Sequence, residues 1–283
     1  MFRNRMNLAL LGGMLSALAA LPAPAAPGTP TEVDVKLVIA TDVSRSITEE
    51  EATLQREGTA EVFLDPEVVK AIQSGALGRI AVAMLDWSSP RDDRIVLDWT
   101  IVKDKGSAAA LAEKIRKIPI AYGERTSISA ALERSTIMLN DSDKDIVAER
   151  KVIDVSGDGP NNDGISLQHI HDTTKDNGIV VNGLPIIDES SAAAYRDLDQ
   201  YYDACVVAGK GAFLIVVHKY KDFGIAMRRK LVLEISQNES QIKQAQGAVQ
   251  ANPLLIKIAA GNASLRPPKV YPGGCDKFGG WGF

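Results

Sequence analysis

The residues best equipped for chemistry lie in one short run, Asp42-Val43-Ser44-Arg45-Ser46, where three oxygen-bearing side chains alternate. Alternate spacing lets one loop turn a carboxylate and two hydroxyls toward a single point. Two more oxygen donors come later: Thr126, ahead of a helical stretch, and Asp158, within Ser156-Gly157-Asp158-Gly159. Two carboxylates and three hydroxyls make a hard ligand set. It suits Mg2+ or Mn2+, which favour six oxygens at about 2.1 Å and commonly keep water, with Ca2+ as the larger alternative. Gly157 and Gly159 allow close approach of the third segment without a Cβ in the way. The competing reading of the first run is a plain helix start at which Ser46 serves as a cap.

Other chemistries fit less well. A serine hydrolase needs a nucleophile elbow, and no G-x-S-x-G occurs, which leaves Ser156 without that role. A metal-dependent phosphohydrolase using Asp42 as nucleophile is the alternative function, but position 44 is Ser where a second acid is expected. The stretch Asp158 to Asp163 is Asp-rich like a calcium loop, yet it has no Glu at the twelfth position and is interrupted by Pro160. Pro160, Asn161 and Asn162 read as turn residues shaping the loop. His169 and His171 stand two apart, on different faces of a helix, and His218 ends a strand. Asp154 sits inside an apolar strand and reads as structural. Asp86 and Trp87 close another strand, where they line the same face as the metal loop or simply belong to the core.

The elements that must position these residues follow from periodicity. Val33 to Thr41 is a nearly continuous apolar strand, as in a strand buried on both faces. Thr48 and Glu51 form a capping box ahead of a helix carrying Leu54, Gly58 and Val62. Arg79 to Trp87 and Arg94 to Thr100 read as a strand pair joined by a short polar turn, the second forming an antiparallel edge. Helices are expected from Ser107 to Arg116, Thr126 to Leu139, Ser166 to Asn177 and Ala192 to Val207, and a last one striped by Phe223, Met227, Leu231 and Ile235. Strands are expected at Lys151 to Val155, Ile179 to Leu184 and Ala212 to Val217. This alternation specifies an α/β class: a doubly wound, mostly parallel sheet with helices on both faces and one antiparallel edge strand. In such sheets ligands bind beyond the carboxyl ends of the strands, where Asp42, Thr126 and Asp158 all stand.

The bulk composition agrees. Hydrophobic residues make up 45% and aromatics only 5%, so the core is aliphatic, as parallel strands under helices require. Arg3 and Arg5 precede an uncharged apolar run from Met6 to Leu21 and small residues around Ala25, the pattern of a signal peptide over residues 1–25. The run falls short of the roughly 20 residues of a bilayer span. Export to the periplasm or beyond is therefore expected, with no membrane span in the mature chain. Removing Arg3 and Arg5 makes the net charge of −4 two units more negative. A mildly acidic surface argues against nucleic acid as partner. Residues 33–236 form the main domain and residues 237–283, Gln/Asn-, Pro- and Gly-rich, an extension. Cys205 and Cys275 either close a disulfide tying that extension back or remain two free thiols.

With these residues in place, the chain resembles a von Willebrand factor A domain bearing a metal-ion-dependent adhesion site. That family carries D-x-S-x-S after its first strand, a Thr on a second loop and an Asp, often before Gly, on a third. These positions fall here on Asp42, Ser44, Ser46, Thr126 and Asp158. The segment from Tyr201 to Glu234, with Cys205, Gly211-Ala212-Phe213 and Arg228-Arg229-Lys230-Leu231, resembles a bacterial group of exported A-type domains of unknown function, the DUF1194 type. The resemblance implies a non-catalytic module that binds a divalent metal and, through it, a Glu or Asp supplied by a protein partner.

Overall fold

The computed structural model describes residues 30–140, 145–188 and 195–236, together with 256–257, 271 and 274–276. The expected leader at residues 1–25 and most of the extension at 237–283 lie outside the described residues.

Among the described residues, seven strands form one sheet in the order β3-β2-β1-β4-β5-β6-β7. They are β1 (Thr31–Asp42), β2 (Ile80–Trp87), β3 (Arg94–Val102), β4 (Ile146–Gly157), β5 (Val180–Pro185), β6 (Leu214–Ile215) and β7 (Ile256–Lys257). From β2 through β6 all neighbours run parallel, while β3 closes one edge antiparallel to β2. The other edge carries a second antiparallel strand, the two-residue β7 on β6, which the sequence pattern did not announce.

The central strands are apolar on both sides because both sides are covered. Val35, Leu37 and Ile39 of β1 join a core beneath the helices α1 (Glu49–Val62), α2 (Pro66–Gln73), α3 (Lys105–Arg116) and α7 (Phe223–Ser236). Val38 and Ala40, pointing the other way, join a core beneath α4 (Ile128–Asn140), α5 (Leu167–Asp176) and α6 (Leu198–Tyr201). The result is a three-layer, doubly wound α/β domain. One buried polar group is internally paired: Lys230 of α7, wholly buried, bridges Asp154 of β4 and Glu234, the latter at 2.8 Å. Asn182 of β5 completes that group, donating to Glu234 at 2.7 Å. Asp154 is thus a structural residue, as its place in an apolar strand suggests.

Several boundaries differ from the periodicity reading. The helix α2 is short but marked: the Asp65 side chain accepts the Glu67 N–H at its N-cap and Pro66 starts the first turn. Asp104, rather than Ser107, caps α3, with Ser107 answering as the reciprocal capping-box partner. The segment expected to be a helix up to Val207 instead holds one α-turn at Leu198–Tyr201, then a wider π-turn at Tyr202–Val206. The expected strand at 212–217 is reduced to Leu214–Ile215, with Val217 pairing only as a bridge to Ile186.

Candidate functional site

β1, β4 and the segment before α4 end on the same side of the sheet. β1 leads directly into Asp42, and Val43 is pinned from both sides: its N–H donates to the Trp87 carbonyl at 2.9 Å and its carbonyl accepts Gly123 N–H at 3.0 Å. That tether forces the chain to turn at once. Asp42 Oδ1 accepts the Ser44 N–H at 2.7 Å, an Asx-type turn that folds the loop over its own carboxylate. Thr48 then caps α1, and Ile47 is buried beneath.

The structure brings the five oxygen donors together. The Ser44 and Ser46 hydroxyls stand 3.2 Å apart, and Thr126 Oγ1 donates to Ser44 Oγ at 3.5 Å. Ser46 Oγ donates to Asp158 Oδ1 at 2.7 Å, joining the β1 loop to the β4 loop across 112 residues of sequence. Asp42 and Ser44 are buried, Thr126 and Asp158 nearly so, and Arg45 and Ser46 are exposed, so the cluster opens to solvent at one side. Thr126 is held by Asn162, whose side-chain oxygen accepts its N–H at 3.0 Å and whose own N–H donates to its carbonyl at 2.8 Å. Ser127 accepts the Ala130 N–H at 3.3 Å and so starts α4 just behind Thr126.

The cluster crowds two buried carboxylates together. Burial, then the nearby charge of Asp158, pushes the Asp42 carboxyl well above the ordinary carboxylate range. Burial, together with the charge of Glu51, pushes Asp158 up as well, against the lowering effect of the Ser46 hydrogen bond. Asp42 Oδ2 is buried without a hydrogen-bond partner, which is costly for a carboxylate oxygen. The Tyr202 hydroxyl, on the same side of Gly157 as Asp42 Oδ2, is similarly buried and unpartnered. No group of three or more His, Cys, Asp or Glu with metal-binding arrangement occurs among the described residues. The set is instead two carboxylates and three hydroxyls, an all-oxygen donor set of the kind hard divalent ions prefer.

Of the other candidates, Trp87 reaches this cluster with its ring edge, beside Gly157, and the rest stand apart from it. Asp86 is turned away, paired at 2.6 Å with the buried guanidinium of Arg56, and Trp87 is wholly buried. His171 contacts Asp172 at 3.0 Å and the Val207 carbonyl at 3.2 Å, which makes it part of the packing of α5. Cys205 and Cys275 are bonded to each other in the structure. Sequence reasoning did not single out Tyr202 or Gln55, whose side-chain carbonyl accepts from Ser156 Oγ at 3.5 Å. Their only sequence signal is helical position, which reads as core.

The strand order and the layering are those of a von Willebrand factor A fold. The likeness extends to solved structures: the pilus adhesin SpaC from Lactobacillus rhamnosus GG, at 16% identity over 73% of this chain and 31% of that one (TM-score 0.51), and proximal thread matrix protein 1 from the mussel byssus, at 15% identity over 73% and 49% (TM-score 0.50). At these identities the shared property is the fold, and this chain spans a third to a half of those chains' lengths. No curated protein sequence matches it. Residues 32–239 match the family described as protein of unknown function DUF1194, and the chain belongs to that family.

Proposed function

We propose that this protein is an exported, non-catalytic binding module that grips a protein partner through a divalent cation. Asp42, Ser44, Ser46, Thr126 and Asp158 hold the cation, of which Mg2+ or Mn2+ suits the donors best and Ca2+ is the larger alternative. The bound ion would supply a positive centre able to accept a Glu or Asp carboxylate from the partner. The chain's own residues do the rest: Asp42 and Asp158 set the charge, the Ser44 N–H orients the Asp42 carboxylate, and Asn162 fixes Thr126. The observation that carries this reading is the convergence of two buried carboxylates with raised proton affinity on three hydroxyls at the strand ends.

The site supports gripping better than turnover. Asp42 is fully buried, and one of its oxygens accepts the Ser44 N–H, an arrangement poorly suited to a nucleophile attacking a phosphoryl group. Adhesion or assembly outside the cytoplasm agrees with the expected leader, and among the described residues no helix is long and apolar enough to cross a membrane.

The test is recovery of partners from the native secretome on immobilised protein, with Mg2+ or with EDTA. One protein retained with Mg2+, released by EDTA and absent with Asp158→Asn is the expected result. Metal-dependent phosphatase turnover abolished by Asp42→Asn would instead establish the phosphohydrolase.

A further inference from the structure

The loop between β4 and α5 carries Asp158 and, through Asn162, holds Thr126. It is anchored from outside the sheet. Tyr201, wholly buried, accepts the Asn161 N–H on its hydroxyl at 3.2 Å and donates to the Cys275 carbonyl at 2.9 Å. Its ring meets Tyr271 edge-on, with centroids 5.3 Å apart, and the Tyr271 hydroxyl donates to Asp197 at 2.5 Å. Cys275 is bonded to Cys205, in the π-turn just after Tyr201. Asp276 then closes the far end of the same loop, accepting the Leu167 N–H at 2.6 Å and the Ser166 hydroxyl at 2.7 Å, where α5 begins. On the inner side, Asn161 Oδ1 accepts the Ser129 N–H at 3.0 Å. The C-terminal segment therefore touches the end of the loop directly, through Asp276, and its middle only by way of Tyr201.

We propose that Tyr201, Tyr271 and the disulfide-held Cys275 and Asp276 form a clamp that sets the cation affinity of the site, so that reduction of Cys205–Cys275 weakens cation binding. The inference rests on the metal-site reading above. Its physical basis is preorganisation: ligands on a loop that is already fixed bind without the cost of ordering that loop, and groups behind the ligands fix their orientation. Tyr201 is a positioning residue here. It stands behind Asn161, which shares a turn with Asn162, and Asn162 holds Thr126 by two bonds.

The test is calorimetric titration of the oxidised protein with Mn2+ and with Mg2+. It is repeated on Tyr201→Phe, which removes only the hydroxyl, and on the Cys205→Ser/Cys275→Ser pair. Both variants should bind roughly tenfold more weakly, the range seen when groups behind metal ligands are removed. In metal-free Tyr201→Phe the Asn161 amide should exchange faster with solvent. Ile115→Val, in the α3 core on the opposite face, should lower stability and leave cation affinity unchanged. Wild-type affinity in Tyr201→Phe overturns the clamp and leaves the metal site standing. Absence of any Mn2+ or Mg2+ binding by the oxidised wild type overturns the metal reading, and the clamp falls with it. Should the double Cys variant fail to fold, Tyr201→Phe decides alone.

Discussion

Gly157 is the tightest point of the site, and Gly157→Ala should damage both stability and cation binding. A Cβ at this position would stand 2.9 Å from Asp42 Oδ2, 2.9 Å from the Tyr202 hydroxyl and 3.2 Å from Trp87 Cη2. Comfortable carbon contacts begin near 3.5 Å, so all three neighbours must give. None has room to do so: Asp42, Tyr202 and Trp87 are each fully buried. Overpacking of this kind costs about 1–3 kcal/mol, and three rigid neighbours place the cost in the upper half of that range. At roughly 2–4 °C per kcal/mol for a domain of this size, the melting temperature should fall by about 4–12 °C. Displacing Asp42 should also weaken Mn2+ binding, by roughly tenfold. Adding Tyr202→Phe removes one of the three contacts and should recover part of the stability, a coupling that a double-mutant cycle in urea reads directly. A Gly157→Ala protein within about 0.5 kcal/mol of wild type, with undiminished Mn2+ affinity, would refute the close approach and the role assigned to Asp42.

The buried charges make two more predictions. Lys230→Met strands Asp154 and Glu234 without their cation and should cost about 3–5 kcal/mol at pH 8. The loss should shrink at pH 5, where the carboxyls take up protons; an equal loss at both pH values in thermal melts would contradict the arrangement. Burial holds Glu234 up at about 7 from its ordinary 4.5, so the native state binds the extra proton. The stability tied to it is present below about pH 4.5 and is lost as pH rises through about 7, by up to ~3 kcal/mol at 1.36 kcal/mol per pKa unit. Denaturant melts in EDTA from pH 4.5 to 8 should show that decline, to which Asp42 and Asp158, also raised, add in the same direction. Cation affinity should run the opposite way, because the ion must displace protons from the same two carboxyls: titration with Mn2+ should tighten from pH 5 to pH 7 by up to tenfold per unit for each proton released, and a flat profile would count against Asp42 and Asp158 as ligands.

What was legible in the sequence was local or periodic. The apolar runs of β1, β2, β4 and β5 announce a sheet buried on both faces, and the Thr48–Glu51 box marks the start of α1 to the residue. Asp42, Ser44 and Ser46 share one loop, so their convergence needs no long-range information. Asp158 could be placed because β4 runs parallel to β1 and ends on the same side, and Thr126, between α3 and α4, by the resemblance to the adhesion-site pattern. The remainder depends on contacts between distant segments. Lys230 reads as a surface residue of a mixed helix until Asp154 is known to lie beneath it. The stretch from Leu198 to Val206 has an apolar helical stripe, yet a π-turn there brings Cys205 to Cys275. β6 is cut to two residues despite a longer apolar run: the Phe213 N–H donates to the Asn182 side chain at 2.9 Å rather than to a strand backbone. For α2 a local signal existed, Asp65 before Pro66, and only its length of eight residues made it easy to pass over.

The central claim is that two buried carboxylates and three hydroxyls hold one divalent cation. Calorimetric titration of the wild-type protein with Mn2+ at pH 7, beside Asp42→Asn, Asp158→Asn and Thr126→Ala, tests it most directly. The wild type should bind one ion per chain, both Asp variants none, and Thr126→Ala more weakly. A wild-type protein that binds no divalent ion, or Asp variants that bind as the wild type does, would contradict it.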